Sequence, residues 1–178
     1  MTDLPAHTTI ETDRLRLVPF ALAYAPALNA MNNEPAVMEF LSDGTPETME
    51  QTEAAVGRVR ERWARLGHSW WVILERATNE LVGAACLQNV SHIEGAELEI
   101  GWRLRTAATG KGYATEAGTA AARFASDVIG VDHVIAAIDP KNVNSQRVAQ
   151  RIGMRFRGIE KHYGHDTTTY VLNKDELG

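Results

Sequence analysis

Apolar and polar residues alternate with a period of two in several short stretches of this chain and with a helical period in others, and the order of those stretches predicts the fold. Leu15, Leu17 and Val18 interleave with Arg14 and Arg16 as far as Pro19, the pattern of a half-exposed strand. A helical stretch over residues 21 to 31 surrounds Pro26 and ends at the breaker cluster Asn32-Asn33-Glu34-Pro35. The next helix is predicted to open at Thr45, with Pro46 at its first position and Glu47 and Glu50 in its first turn, and to close at Gly67. Met49, Ala54, Val56, Val59, Trp63 and Leu66 make its apolar stripe.

Apolar runs at 70 to 74 and 81 to 87 flank Ala77-Thr78-Asn79-Glu80, which reads as an antiparallel hairpin. A further strand over 96 to 104 places Leu98, Ile100 and Trp102 on one face and Glu97, Glu99, Gly101 and Arg103 on the other, the first set core and the second a polar row. After Gly112 come an alanine-rich helix to about 128 and a strand at 131 to 138 that Pro140 ends. A helix at 144 to 152 then stops at Gly153. Two last strands flank a turn at Gly164-His165-Asp166, the final one over 167 to 172. Strand, two helices, three strands, helix, strand, helix and two strands make an α+β domain with a mixed sheet, and no repeat or linker interrupts residues 1 to 178, so a single domain is expected.

Composition narrows the class. A chain of 178 residues with 44% hydrophobic and 23% charged positions can bury a core without disulfides, and its single cysteine, Cys86, cannot form an internal bridge. The start is polar, with Asp3 and Pro5, and no apolar run reaches the ~20 residues that span a bilayer, so neither signal peptide nor membrane is expected and the location is read as cytoplasmic. A net charge of −5 speaks against nucleic acid, whose binding rests on clustered Lys and Arg, and suits an amine-bearing partner.

The segment most informative about chemistry is Trp102 through Ala117, a strand that runs through a loop with Gly110 and Gly112 straight into a helix. Unpaired N–H groups and partial positive charge at a helix start favour phosphate, glycine allows close approach, and Lys111 adds charge. Two familiar phosphate motifs fail. A P-loop needs Gly at the position of Arg105 and Ser or Thr at Gly112, and the dinucleotide fingerprint needs Gly where Thr115 stands.

Three pieces of the sequence together resemble the GNAT N-acetyltransferases, in particular the RimJ/RimL-like branch of ribosomal-protein N-terminal acetyltransferases. They are Thr12-Asp13-Arg14-Leu15-Arg16-Leu17, the run from Glu99-Ile100-Gly101-Trp102 to Gly110-Lys111-Gly112-Tyr113-Ala114-Thr115-Glu116-Ala117, and Asn142-Val143-Asn144-Ser145 through Gly153-Met154. The resemblance implies a GNAT fold, a mixed and mostly antiparallel seven-stranded sheet flanked by about four helices, acting with acetyl-coenzyme A as cosubstrate and no metal. It implies that the pyrophosphate is held by the main chain of Thr109, Gly110, Lys111, Gly112, Tyr113 and Ala114. The pantetheine would lie where the fourth and fifth strands splay, against the backbone of Ile100, Trp102 and Leu104. The sequence departs from the family at Thr109, where Gln, Arg or an aromatic residue is common, and at Ala149, where many members carry a catalytic Tyr. Ser145 matches the position from which the RimJ/RimL-like branch assists the leaving thiolate, with Asn142 orienting the thioester; a helix cap is the plainer reading of both.

Deprotonating a Lys side chain at pH 7 costs roughly 4.6 kcal/mol, against about 1 kcal/mol for an α-amine, so a carboxylate acting through water suffices for an α-amine. Glu99 is the first candidate base and Glu97 the second, each against the reading of a solvated strand face. Cys86, with no adjacent His, reads as a core thiol, and His162 with His165 as a turn pair that makes a poor metal site. Trp63, Trp70 and Trp71 read as core or dimer contacts, or as lining of an acceptor cleft; Arg147 and Arg151 either meet an outer phosphate or form a solvated face. The expectation is direct acetyl transfer to a primary amine, first a protein N-terminal α-amine and next a small-molecule amine, in a chain that can form a homodimer. The rival is a non-catalytic acyl-coenzyme A sensor on the same fold.

Overall fold

A computed structural model describes residues 5–40 and 45–177. One sheet carries the architecture, in the order β1-β2-β3-β4-β5-β6-β8-β7. Its strands are β1 (Ile10–Glu11), β2 (Leu15–Pro19), β3 (Trp70–Glu75), β4 (Leu81–Asn89), β5 (Leu98–Leu104), β6 (His133–Ile138), β7 (Arg155–His162) and β8 (His165–Asn173). The helices are α1 (Ala25–Asn32), α2 (Pro35–Met38), α3 (Met49–Leu66), α4 (Tyr113–Phe124) and α5 (Val143–Ile152). The α+β class and the mixed sheet are as expected. Among the described residues there are eight strands rather than seven, because Ile10 and Glu11 pair with Leu17 and Arg16.

The fifth helix, α2, falls in the predicted breaker. Pro35 occupies its first turn, where the missing N–H costs nothing, so the proline starts a helix instead of only ending one. α3 opens three residues later than expected. Thr48 accepts a hydrogen bond from the Gln51 N–H, and the Gln51 side chain accepts one from the Thr48 N–H, a reciprocal cap that overrides the Pro46 signal. The buried stripe of α3 is Thr52, Val56, Val59 and Trp63. The last turn is Tyr163-Gly164, both at positive φ, and His165 and Asp166 already belong to β8.

Trp63, Trp71 and Phe124 pack edge to face, joining α3, β3 and the end of α4. α4 lies close on β5 because Gly118 has no side chain: a Cβ there would come within 2.5 Å of Ile152 and 3.1 Å of Trp102. Residues 125–129 continue α4 as a π-helical turn to Gly130. Every strand pairing is antiparallel except β5 with β6, which is parallel and touches at one pair, Glu99 with Ile135.

Candidate active site

Two parallel strands that part after one pairing leave a cleft, and both run toward the same end of the sheet. Beyond Glu99, the β6-facing backbone edge of Ile100, Trp102 and Leu104 has no strand partner among the described residues. At the carboxyl ends of the two strands stand the glycine loop before α4 and the start of α5, a usual place for ligands in sheets with parallel strands. The residues the sequence singled out for cofactor contact thus gather around one cleft.

The glycine loop before α4 presents unpaired main-chain N–H groups. Gly110 and Gly112 have φ of 76° and 81°, and α4 begins at Gly112 with no side-chain cap. No main-chain N–H from Gly110 to Thr115 is bonded within the protein, among the described residues. The Thr109 hydroxyl donates instead to the Thr106 carbonyl at 2.8 Å, and Lys111 is exposed with its Nζ 5.9 Å from the centre of the Tyr113 ring.

Residues that sequence reasoning passed over hold this loop in place. Glu116, in the first turn of α4, accepts from the Thr12 hydroxyl at 2.6 Å and from the Arg14 N–H at 2.9 Å, and it pairs with the Arg14 guanidinium at 2.7 Å. Arg14 also donates to the Lys111 carbonyl at 2.9 Å and lies over the Tyr113 ring. The Tyr113 hydroxyl donates a short hydrogen bond to Glu75. The Thr12 to Leu17 segment was recognised as part of the resemblance, but its tie to Glu116 spans a hundred residues and leaves no local signal.

At the start of α5, the Asn142 side chain accepts from the Ser145 N–H at 3.1 Å, so Asn142 is a helix cap. The Ser145 hydroxyl is half-buried and has no hydrogen-bond partner among the described residues. Ala149, where the family often has Tyr, is fully buried.

Deeper in the cleft, the polar row predicted for β5 is not a solvated face. Glu99 is 6% exposed. Its carboxylate accepts from the Gln88 amide at 2.8 Å and from the Tyr163 hydroxyl through a short bond, and Gln88 in turn accepts from the Trp70 indole N–H at 2.8 Å. Burial, only partly offset by Gln88, raises the Glu99 pKa to about 7. Neither Gln88 nor Tyr163 is marked by a motif in the sequence. A two-residue turn that thrusts an aromatic hydroxyl back across three strands has no sequence signature.

Glu97 precedes β5 and meets a different fate. It accepts both Arg157 Nη groups at 2.6 and 3.0 Å and lies 2.7 Å from His133 Nε2; the Arg157 bonds come first in lowering its pKa to about 2. Such a carboxylate is a weak proton acceptor. Cys86 is buried and its thiol is pushed up by burial, as suits a core residue. No group of three or more metal-ligating side chains occurs among the described residues. No helix there is long and apolar enough to cross a membrane.

A sheet that opens at one parallel pair, with an uncapped helix start on one side of the opening and a buried acid inside it, defines an acyl-coenzyme A transferase class of fold. The sequence matches the acetyltransferase (GNAT) domain family over residues 14–155, and the chain belongs to that family of acetyl-coenzyme A-dependent acetyltransferases. It is 29% identical to the uncharacterized protein YkkB of Bacillus subtilis (strain 168) over 93% of this chain and 95% of that one. The crystal structure of a GNAT-family acetyltransferase from Bacillus anthracis superposes with a TM-score of 0.79 at 25% identity, over 94% of this chain and 99% of that one. RimL, a ribosomal L7/L12 α-N-protein acetyltransferase solved in complex with coenzyme A, has the same fold at 19% identity and a TM-score of 0.78, over 94% of this chain and 99% of that one.

Proposed function

We propose that this enzyme moves the acetyl group of acetyl-coenzyme A directly to a primary α-amine, most simply that of a protein N-terminus, with Glu99 as general base. The observation that carries the reading is the buried Glu99, held by Gln88 and Tyr163 at the one point where β5 and β6 meet, with a pKa of about 7. An α-amine titrates near 7.8, so Glu99 can take its proton, directly or through one water, at a cost of about 1 kcal/mol. A Lys side chain would cost roughly 4.6 kcal/mol at pH 7. The fold shared with RimL agrees with an N-terminal acceptor, and at 19% identity it supports the fold alone.

Each part of the cleft takes one task. The N–H groups of Gly110 to Thr115, with Lys111, bind the pyrophosphate. The free backbone edge of Ile100, Trp102 and Leu104 binds the pantetheine arm and polarises the thioester carbonyl. Glu99 receives the ammonium proton, and the freed amine lone pair attacks that carbonyl. As the carbon–sulfur bond breaks, the Ser145 hydroxyl donates a hydrogen bond to the departing thiolate, which takes up the second amine proton and leaves as the free thiol, with Asn142 setting the helix start that aims it. Residues 1 to 178 act as one acetyltransferase domain in this reading.

Free thiol release from acetyl-coenzyme A in the presence of peptide amines tests it. Turnover should rise with pH through about 7 and fall at least a hundredfold in Glu99→Gln. Tight binding of acetyl-coenzyme A without turnover on any amine would instead make the chain an acyl-coenzyme A sensor.

A further inference from the structure

Two guanidinium groups near Glu99 lack the carboxylate that such groups ordinarily find. Arg103 lies on the same face of β5 as Glu99, with Gly101 between them. Its Cζ sits 4.5 Å over the centre of the Trp70 ring, and its Nε is cut off from solvent with no hydrogen-bond partner. No ion pair or hydrogen bond involves the Arg103 side chain among the described residues. Glu47, an acid whose charge it feels, spends its carboxylate on the Asn32 amide at 2.6 Å. The Trp70 ring lies under the guanidinium and cannot accept an in-plane N–H, so the buried Nε–H stays unsatisfied while the rest of this half-buried group is open to water. An anion entering here would give the guanidinium the charged partner it lacks.

Arg62 provides the second observation. It lines a small hollow, open at its mouth, together with His68, Gln88 and His92. Gln88 is the same side chain that donates to Glu99. Arg62 has no ion pair among the described residues, and burial followed by the like charges of Arg58 and Arg65 strains its ionised form. Arg65, by contrast, is paired with Glu94 at the rim. His68 sits with Nδ1 3.0 Å from the Leu87 carbonyl and is held neutral by burial, so it does not compete for an anion.

We infer that the acceptor is an acidic amine: a primary amine with a carboxylate a few bonds away, its amine at Glu99 and its carboxylate on Arg103, with Arg62 beside it. The two ends are joined through side chains: the Arg103 guanidinium lies over Trp70, the Trp70 indole N–H bonds Gln88, and Gln88 bonds Glu99. A free amino acid and a peptide N-terminus with an acidic residue at its start share this chemistry. The inference rests on acetyl transfer at Glu99.

The test pairs each acid with its amide. Aspartic and glutamic α-amides are compared with asparagine and glutamine α-amides, whose α-amines are alike, and amidated Ser-Asp peptides with Ser-Asn peptides, by thiol release with acetyl-coenzyme A. At least one acid should exceed its amide tenfold or more in kcat/KM, and the series it belongs to identifies the source. Arg103→Met, checked by thermal melting, should bring that ratio to near one, mainly through KM, with Arg103→Lys retaining part of it. Binding of N-acetyl-β-alanine and its amide to the coenzyme A-loaded protein, by titration calorimetry, gives a readout that needs no turnover. Preferential binding of the acid that Arg103→Met removes supports the site even if no amine is acetylated. Turnover with acid and amide alike, or a ratio that Arg103→Met leaves unchanged, would overturn the anion site and leave acetyl transfer standing.

Discussion

Glu99 shows how one buried carboxylate couples stability to chemistry. Its folded pKa is raised from 4.5 to about 7, so the folded state holds a proton that the unfolded state gives up between those values. The contribution of Glu99 to stability is therefore intact below pH 4.5 and lost as pH rises through 7. A shift of that size corresponds to about 3 kcal/mol at pH 8. Glu99→Gln should raise the melting temperature at pH 8, leave it nearly unchanged at pH 4.5, and abolish most turnover; equal melting shifts at both pH values would show that the carboxyl is solvated. Tyr163→Phe removes a donor to the ionised carboxylate, so the acid limb of the kcat/KM profile should move to higher pH. Ser145→Ala should lower kcat well beyond any change in acetyl-coenzyme A affinity, measured by single-turnover kinetics and by titration. Equal losses would make Ser145 a structural part of the α5 cap.

Among elements, the start of α4 depends on contacts that come from far along the chain. Arg14 and Thr12 on the approach to β2 grip Glu116, and Arg14 also holds the Lys111 carbonyl, so the loop is braced from outside its own segment. Arg14 is half-exposed, which limits the worth of its ion pair to about 1 kcal/mol of stability. Its larger effect falls on the loop: Arg14→Ala should weaken acetyl-coenzyme A binding about tenfold with little change in kcat at saturation. Gly112→Ala places a side chain in a left-handed conformation, costing roughly 1–2 kcal/mol, and sets its Cβ 3.4 Å from Arg14. The loop, both glycines and the cap at α5 were legible in the sequence because each is a local matter of spacing and backbone freedom. Most strands were legible for the same reason, since alternation reports burial on one face. The Glu99 face misled because both faces of β5 are covered at Leu98 to Ile100, and there alternation no longer marks solvent. Gln88, Tyr163, Arg14 and Glu116 were illegible because their roles arise from contacts between elements that the sequence separates by 11 to 104 residues.

At the scale of the whole molecule, the fold keeps one seam open. β4 pairs with β5 along seven residues and β6 with β8 along six, so each side of the seam is a well-bonded sheet half, while β5 and β6 share one pair. The halves are tied across the seam by α4, which packs on β5 and on α5 through Gly118, Trp102 and Ile152, and by the bonds of Glu97 to Arg157 and His133 and of Glu99 to Tyr163. A ligand that lies along the free edge of β5 and bonds the N–H groups before α4 completes what the strands leave unpaired. Acetyl-coenzyme A should therefore stabilise the fold by mass action, about 2.7 kcal/mol at a hundred times its Kd. Hydrogen exchange should show where that stabilisation acts. Amides in 100–104 and 110–115 should slow strongly on addition of acetyl-coenzyme A, whereas those of the β7 and β8 hairpin, already paired, should change little. Uniform slowing across the chain would mean that the ligand stabilises the fold without bridging the seam, and protection confined to 110–115 would place the pantetheine arm outside it.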